Sequence, residues 1–164
     1  MAKKQKTSLL VASENQRAWV MVGAPGAGKS TLAKQIQQNY AAVIINGDAI
    51  REELYGDASI QGEWLAIQGR MEEMIVENLG QNLVIDNTHY LSEYRRESLG
   101  LLAMHGYNKV YAVVVDKPLE ICLAQNKQRE RQVPEHVIRE MHSKIVPEFD
   151  IYYNEGFYNV HIIN

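Results

Sequence analysis

The sequence predicts an α/β protein, a P-loop three-layer sandwich with a central parallel sheet and a small helical lid. Short continuous apolar runs, the pattern of strands buried on both faces, alternate along the chain with amphipathic segments of helical period. That alternation implies parallel crossovers, with helices covering the sheet. Between the first such strand and the first such helix lies Gly23-Ala24-Pro25-Gly26-Ala27-Gly28-Lys29-Ser30-Thr31. Its G-x-x-x-x-G-K-S spacing, in a strand-loop-helix context, is a phosphate cradle.

The elements follow in order. Trp19 to Val22 is the first core strand, and Ser30 to Asn39 an amphipathic helix with Leu32, Ala33 and Ile36 on one face. Ala42 to Ile45 is a second strand, ending in Asn46-Gly47-Asp48 before a helix over Ala49 to Leu54. Ile60 to Leu79 reads as a long helix whose Trp64, Leu65, Ile67, Met71 and Met74 keep the helical period, which favours core over a base-stacking platform. Leu83 to Ile85 is a third strand, delivering Asp86. Ser92 to Met104 is helical, with Tyr94, Leu99 and Leu102 inward and Arg95 and Arg96 as a solvated pair, and Gly106 ends it. Val110 to Val115 is a fourth strand, followed by helices over Leu119 to Gln128 and Val137 to Ile145, a stop at Pro147 and a last strand over Tyr158 to Ile163. Residues 1 to 16 receive no element; Leu9-Leu10-Val11-Ala12 fits a first turn or a strand.

A chain of 164 residues fits one domain, and 46% hydrophobic residues with only 4 prolines leave no tract that is too polar to fold. No apolar window reaches the ~18 residues of a membrane span, and the basic start Met1 to Lys6 has no signal core behind it, so the expected compartment is the cytoplasm. A net charge of −3 excludes a strong overall field for nucleic acid, so any such contact must be local. The single cysteine, Cys122, excludes an internal disulfide and sits among Leu119, Ile121 and Leu123 as core filler. Nothing in the sequence sets the oligomeric state.

The candidate chemistry gathers where strands end, because ligands of open α/β sheets bind beyond the carboxyl edge. In the loop, glycines let backbone N–H groups turn inward, Lys29 reaches β/γ-phosphates, and Ser30 offers a hydroxyl to Mg²⁺. The helix that starts near Lys29 adds its N-terminal field. Asp86, after the third strand, is the candidate acid on the metal side. Asp48 and Arg51 share a helical face, readable either as an acceptor-side catalytic pair or as an N-cap beside a solvated arginine. Asn87-Thr88-His89 forms a polar turn over the same edge, with His89 a substrate or structural contact before a proton-transfer group. Lys127, Arg129, Arg131, His136 and Arg139 make the next stretch basic, either a mobile flap over the phosphates or a basic turn between helices.

Taken together, Gly23 to Thr31, Ile45 to Arg51, Val84 to Thr88, and Gln125 to Arg129 with Val133-Pro134 resemble the P-loop polynucleotide 5′-hydroxyl kinases of the phage and eukaryotic end-healing type. The resemblance spans about residues 18 to 146. It implies an ATP- and Mg²⁺-dependent transfer of the γ-phosphoryl group to the 5′-hydroxyl of a DNA or RNA end. It further implies Asp48 as general base, Arg51 on the acceptor phosphate, Thr88 and His89 near the substrate, and Arg129 with Arg131 in a lid over about 127 to 136. The family's R-N-x-x-R lid pattern has Gln125 where its first arginine stands, and its Asn-Thr-Asn is Asn87-Thr88-His89 here. No phosphatase or ligase segment is evident, so a stand-alone kinase domain is expected. A kinase of a nucleoside, sugar or antibiotic hydroxyl is the alternative, and a nucleotide-dependent binding switch a further one.

Overall fold

The computed structural model describes residues 15–164, so the basic start and the Leu9 to Ala12 run lie outside the described residues. The described chain runs β1 (Arg17–Val22), α1 (Lys29–Tyr40), β2 (Ala42–Asn46), α2 (Gly47–Tyr55), α3 (Trp64–Glu77), β3 (Asn82–Asp86), α4 (Ser92–Met104), β4 (Lys109–Val115), α5 (Leu119–Lys127), α6 (Glu135–Lys144), α7 (Phe149–Glu155) and β5 (Asn159–Ile163). All pairings are parallel, in the order β2-β3-β1-β4-β5. The central strand β1 therefore has β3 on one side and β4 on the other, and the chain leaves it at the point where strand order reverses.

Strand residues alternate between two cores, which is why their sequences read as unbroken apolar runs. On one face Ala18, Val20, Leu83, Ile85, Ala112 and Val114 pack against α2, α3, α4 and α7 through residues such as Ile50, Ile67, Leu102 and Tyr152. On the other, Trp19, Met21, Val84, Val113 and Val115 pack against α1, α5 and α6 through Ala33, Cys122 and Ile138. Cys122 is fully buried, and burial pushes its thiol up from the ordinary value, as suits core filler. Asn46 pairs in register with Asp86, and Val20 with Ile85, so the loop after β1 and the residues after β2 and β3 emerge at one edge.

The expected strands are present within a residue or two of their predicted ends. Four expectations are corrected. The long helix starts at Trp64, not Ile60, and its first turn is not core: Trp64 is 37% and Leu65 79% exposed, whereas Ile67, Met71 and Ile75 are buried. Arg95 is not solvated; it is buried against Glu155 of α7, a partner 60 residues away. The seven residues of α7 were not expected, because its inward side is only Ile151 and Tyr152 while Phe149 and Tyr153 are exposed, too short a run for a helical period to show. Tyr94 lies in a cleft described below and not in the core.

Candidate active site

The loop between β1 and α1 is shaped to approach anions closely. Gly26 adopts φ +82° and a Cβ there would fall 2.3 Å from the Cys122 carbonyl oxygen, so only glycine lets the loop lie against α5. Gly28, at φ 95°, precedes α1. That helix has neither a side-chain cap nor an acidic residue in its first turn, which leaves its first N–H groups for a ligand. Lys29 is buried and donates to the Ala24 carbonyl at 2.9 Å; burial lowers its ammonium to about 8, against the pull of Asp86. Thr31 is exposed beyond the loop. Gly23 is held by its N–H donating to the Thr88 carbonyl, 2.9 Å, which ties the loop to the end of β3.

Asp86 is buried and accepts from Ser30 Oγ at 2.9 Å and from Asn46 Nδ2 at 3.2 Å. The Ser30–Asp86 separation of 2.9 Å is the spacing of neighbouring oxygens around an octahedral Mg²⁺ with ligands at about 2.1 Å. A hydroxyl and one carboxylate, with phosphates and water to complete the shell, fit that ion's ordinary mode of binding.

Asn46 also accepts from the Ala49 N–H at 2.9 Å and so caps α2. Asp48 is therefore not the cap. It sits in the first turn of α2 with one oxygen 3.2 Å from Arg51 and the other 3.0 Å from Arg131. Gly47 N–H donates to Asn87 Oδ1 at 2.8 Å, fixing where Asp48 begins. Arg51 Nε is buried with no hydrogen-bond partner among the described residues. A buried N–H of a charged guanidinium without an acceptor is costly.

The segment from Gln128 to Pro134, where a lid is expected, joins α5 to α6. Asn126, buried, staples its base by donating to the Val133 carbonyl at 2.9 Å and accepting from the Val133 N–H at 3.0 Å. Arg129 is exposed, lines the cleft and lies close enough to depress Lys29 further. Arg131 lines it too, but its guanidinium engages Asp48, on the acceptor side. Gln125 is exposed and does not line the cleft.

His89 is buried at φ 45°. Its Nδ1–H donates to the Met21 carbonyl and its Nε2 accepts from Ser98 Oγ, both at 2.8 Å. Burial lowers its imidazole to about 4, so it stays neutral with both nitrogens occupied. Of the two roles expected for it, the structural one matches this geometry. Thr88 lines the cleft, as does His89 from below.

These residues share one cleft of about 580 Å³, containing Lys29, Ser30, Asp86, Asp48, Arg51, Arg129 and Arg131. Its other wall is aromatic, the arrangement the sequence ranked below core packing for Trp64 and did not anticipate for Tyr90 and Tyr94. Trp64 and Gln68 come from α3, Tyr90 from the turn before α4, and Tyr94 and Glu97 from α4. Their i, i+3 and i+4 spacing was the only available signal, and a helix face turned to a cleft has the same period as one turned to a core.

The family model described as an AAA domain matches residues 19–147. An L-seryl-tRNA(Sec) kinase of Methanococcus maripaludis is 26% identical over 136 residues, covering 76% of this chain and 51% of the relative. The chain thus spans about half the length of the curated relative it matches. Among solved structures, it resembles a chain of the Pnkp1/Rnl/Hen1 RNA repair complex at 20% identity and TM-score 0.68, over 88% of this chain and 47% of that one. It also resembles the Mycobacterium tuberculosis APS kinase CysC in complex with AMPPNP and APS, at 20% identity and TM-score 0.56, over 68% of each chain.

Proposed function

The chain belongs to the AAA domain family, and on that premise we propose that it transfers the γ-phosphoryl group of ATP to the 5′-hydroxyl of a DNA or RNA end. One observation carries the reading: Asp48 shares a cleft with the phosphate cradle, beside an arginine whose buried Nε lacks an acceptor. A loop that only binds or hydrolyses a nucleotide has no need of such an acceptor half. The likeness to an RNA repair chain and to a kinase acting on seryl-tRNA supports an RNA or DNA acceptor.

In this mechanism Lys29 and the loop N–H groups hold the β/γ-phosphates in line with the acceptor. Ser30 and Asp86 would hold Mg²⁺, which would supply neutralisation of the phosphate charge. Asp48 takes the proton of the 5′-hydroxyl as the new O–P bond forms and the bond to the ADP leaving oxygen breaks. Arg51 grips the acceptor phosphate, and Arg129 closes over the charge that spreads on the transferred group. Arg131 donates to one Asp48 oxygen at 3.0 Å, and the second lone pair of that oxygen stays available for a hydroxyl.

A kinase of a small hydroxylated metabolite is the second reading. The formal cations lining the cleft are Lys29, Arg51, Arg129 and Arg131, with no further basic track for a strand. Transfer of labelled γ-phosphate to 5′-hydroxyl oligonucleotides decides between the readings, because the intact protein with ATP and Mg²⁺ should label them. Replacing Asp48→Asn should lower turnover by about 10² to 10⁴-fold while ATP binding stays within about twofold. Full activity in that variant removes Asp48 as the base.

A further inference from the structure

The aromatic wall has no part in the phosphate chemistry. It comes from the first turns of α3 and α4, which pack on the sheet face opposite α1, so the cleft reaches over the sheet edge from the phosphate loop to this wall. Trp64 is 37% exposed. Its ring is tilted against Tyr94 at 5.6 Å, and Tyr94 meets Tyr90 edge-on at 5.7 Å. Trp64 Nε1 donates to Glu97 Oε2 at 3.2 Å, which fixes the indole, and Glu97 lines the cleft beside it. The wall thus offers the exposed indole of Trp64, with the Tyr94 ring tilted 49° to it, bordered by a carboxylate, a group that only accepts hydrogen bonds.

We propose that this wall is a nucleobase subsite for the acceptor, in which the base stacks on Trp64, with the tilted Tyr94 ring at its edge, and donates an amino N–H to Glu97. The assignment rests on the phosphotransferase reading, and it names the part of the acceptor that the site recognises. Aromatic side chains stack on any base, so stacking gives affinity. Glu97 gives discrimination. Adenine, cytosine and guanine carry an exocyclic amino group to donate, whereas uracil and thymine present two carbonyl oxygens around a single N–H and meet the carboxylate with repulsion. With Arg51 taking the phosphate, a nucleoside bearing a 3′-phosphate spans both contacts, whether free or as the first residue of a strand.

Tryptophan emission reads occupancy directly. The chain has two tryptophans, and Trp19 is buried at 5% exposure, so a ligand in the cleft quenches Trp64. Titration of the full chain with adenosine 3′-monophosphate should quench, and an abasic sugar 3-phosphate should not. W64A should weaken nucleotide binding by about tenfold or more, and W64F should retain most of it. Adenosine, cytidine and guanosine 3′-monophosphates should bind about fivefold or more tighter than uridine 3′-monophosphate, and E97Q should erase most of that preference. A dinucleotide with a 5′-hydroxyl should keep the same base order at its first position. Equal binding of all four nucleotides and the abasic phosphate overturns the assignment, as does equal quenching by ADP alone, which would give the wall to the donor's adenine. Labelled phosphate transfer, measured in parallel, separates the two readings. Transfer that ignores W64A and E97Q leaves the kinase standing without this subsite. Base-selective quenching without transfer to any acceptor keeps the subsite and overturns the kinase.

Discussion

Lys29 is held against the interest of folding. Its ammonium is buried behind one carbonyl contact, and burial lowers it to about 8 from an unfolded value of 10.5. Below pH 8 the folded chain carries this charge at a cost, and between 8 and 10.5 the unfolded chain binds the proton more strongly, so stability rises with pH across that window. Lys29→Met should therefore raise unfolding free energy at pH 7 by about 1 to 3 kcal/mol, read by urea titration, while ATP binding is lost. ATP requires the charged form, so in the wild-type chain its affinity should fall as pH passes upward through about 8, read by calorimetry from pH 6.5 to 9.5. A flat profile would mean that Lys29 is not the group that meets the phosphates. His89 takes no part in this window, since burial keeps it neutral well below pH 7.

Helix α4 links the site to the far end of the chain. Arg95 donates to both Glu155 oxygens at 2.7 and 2.6 Å and to the His89 carbonyl at 2.9 Å, and its guanidinium lies 5.0 Å from the Tyr152 ring centre. Both side chains are nearly inaccessible, at 6% and 3%. Glu155→Gln should cost about 3 kcal/mol or more because it leaves a buried guanidinium without its counter-charge. Breaking the exposed Arg70 cluster with Glu53, Glu73 and Glu77 should cost about 1 kcal/mol or less. Paired denaturant curves measure the difference, and equal losses would remove Arg95 as the tie between α7 and the turn at His89. This pairing also marks the limit of what local sequence conveys. The strands were legible because burial on both faces leaves continuous apolar runs, and the loop because its backbone geometry demands glycine at Gly26 and Gly28. Arg95 was not, since its partner lies 60 residues on and nothing near it in the chain reports its burial. Trp64 was misassigned for a different reason: it stands on the same helical face as buried Ile67 and Met71, where only the third dimension separates core from cleft.

At the scale of the whole molecule, charge distribution limits how an acceptor is held. The chain is net acidic at −3, and the cations of the cleft are concentrated at its phosphate end. In the proposed mechanism Lys29 and Arg129 serve the donor, and Arg131 is on Asp48 at 3.0 Å. Arg51 is then the main cation left for an acceptor phosphate. A protein that tracks a strand along many phosphates loses affinity steeply with salt, by about 0.7 log units per log unit of salt for each single-strand phosphate neutralised. One such contact predicts that log KM for a 5′-hydroxyl oligonucleotide, at saturating ATP, rises with log salt with a slope of about 0.7. Extending the oligonucleotide from 2 to 12 residues should lower KM by less than about threefold, because no further lysine or arginine among the described residues lines the cleft. A slope of about 3 or more, or a steep gain with length, would require a basic surface outside the cleft and would return the acceptor to a long strand. The expected shallow slope, with base preference retained, makes the terminal nucleoside with its 3′-phosphate the recognised unit, which joins the aromatic wall to Asp48 and Arg51 in a single acceptor half.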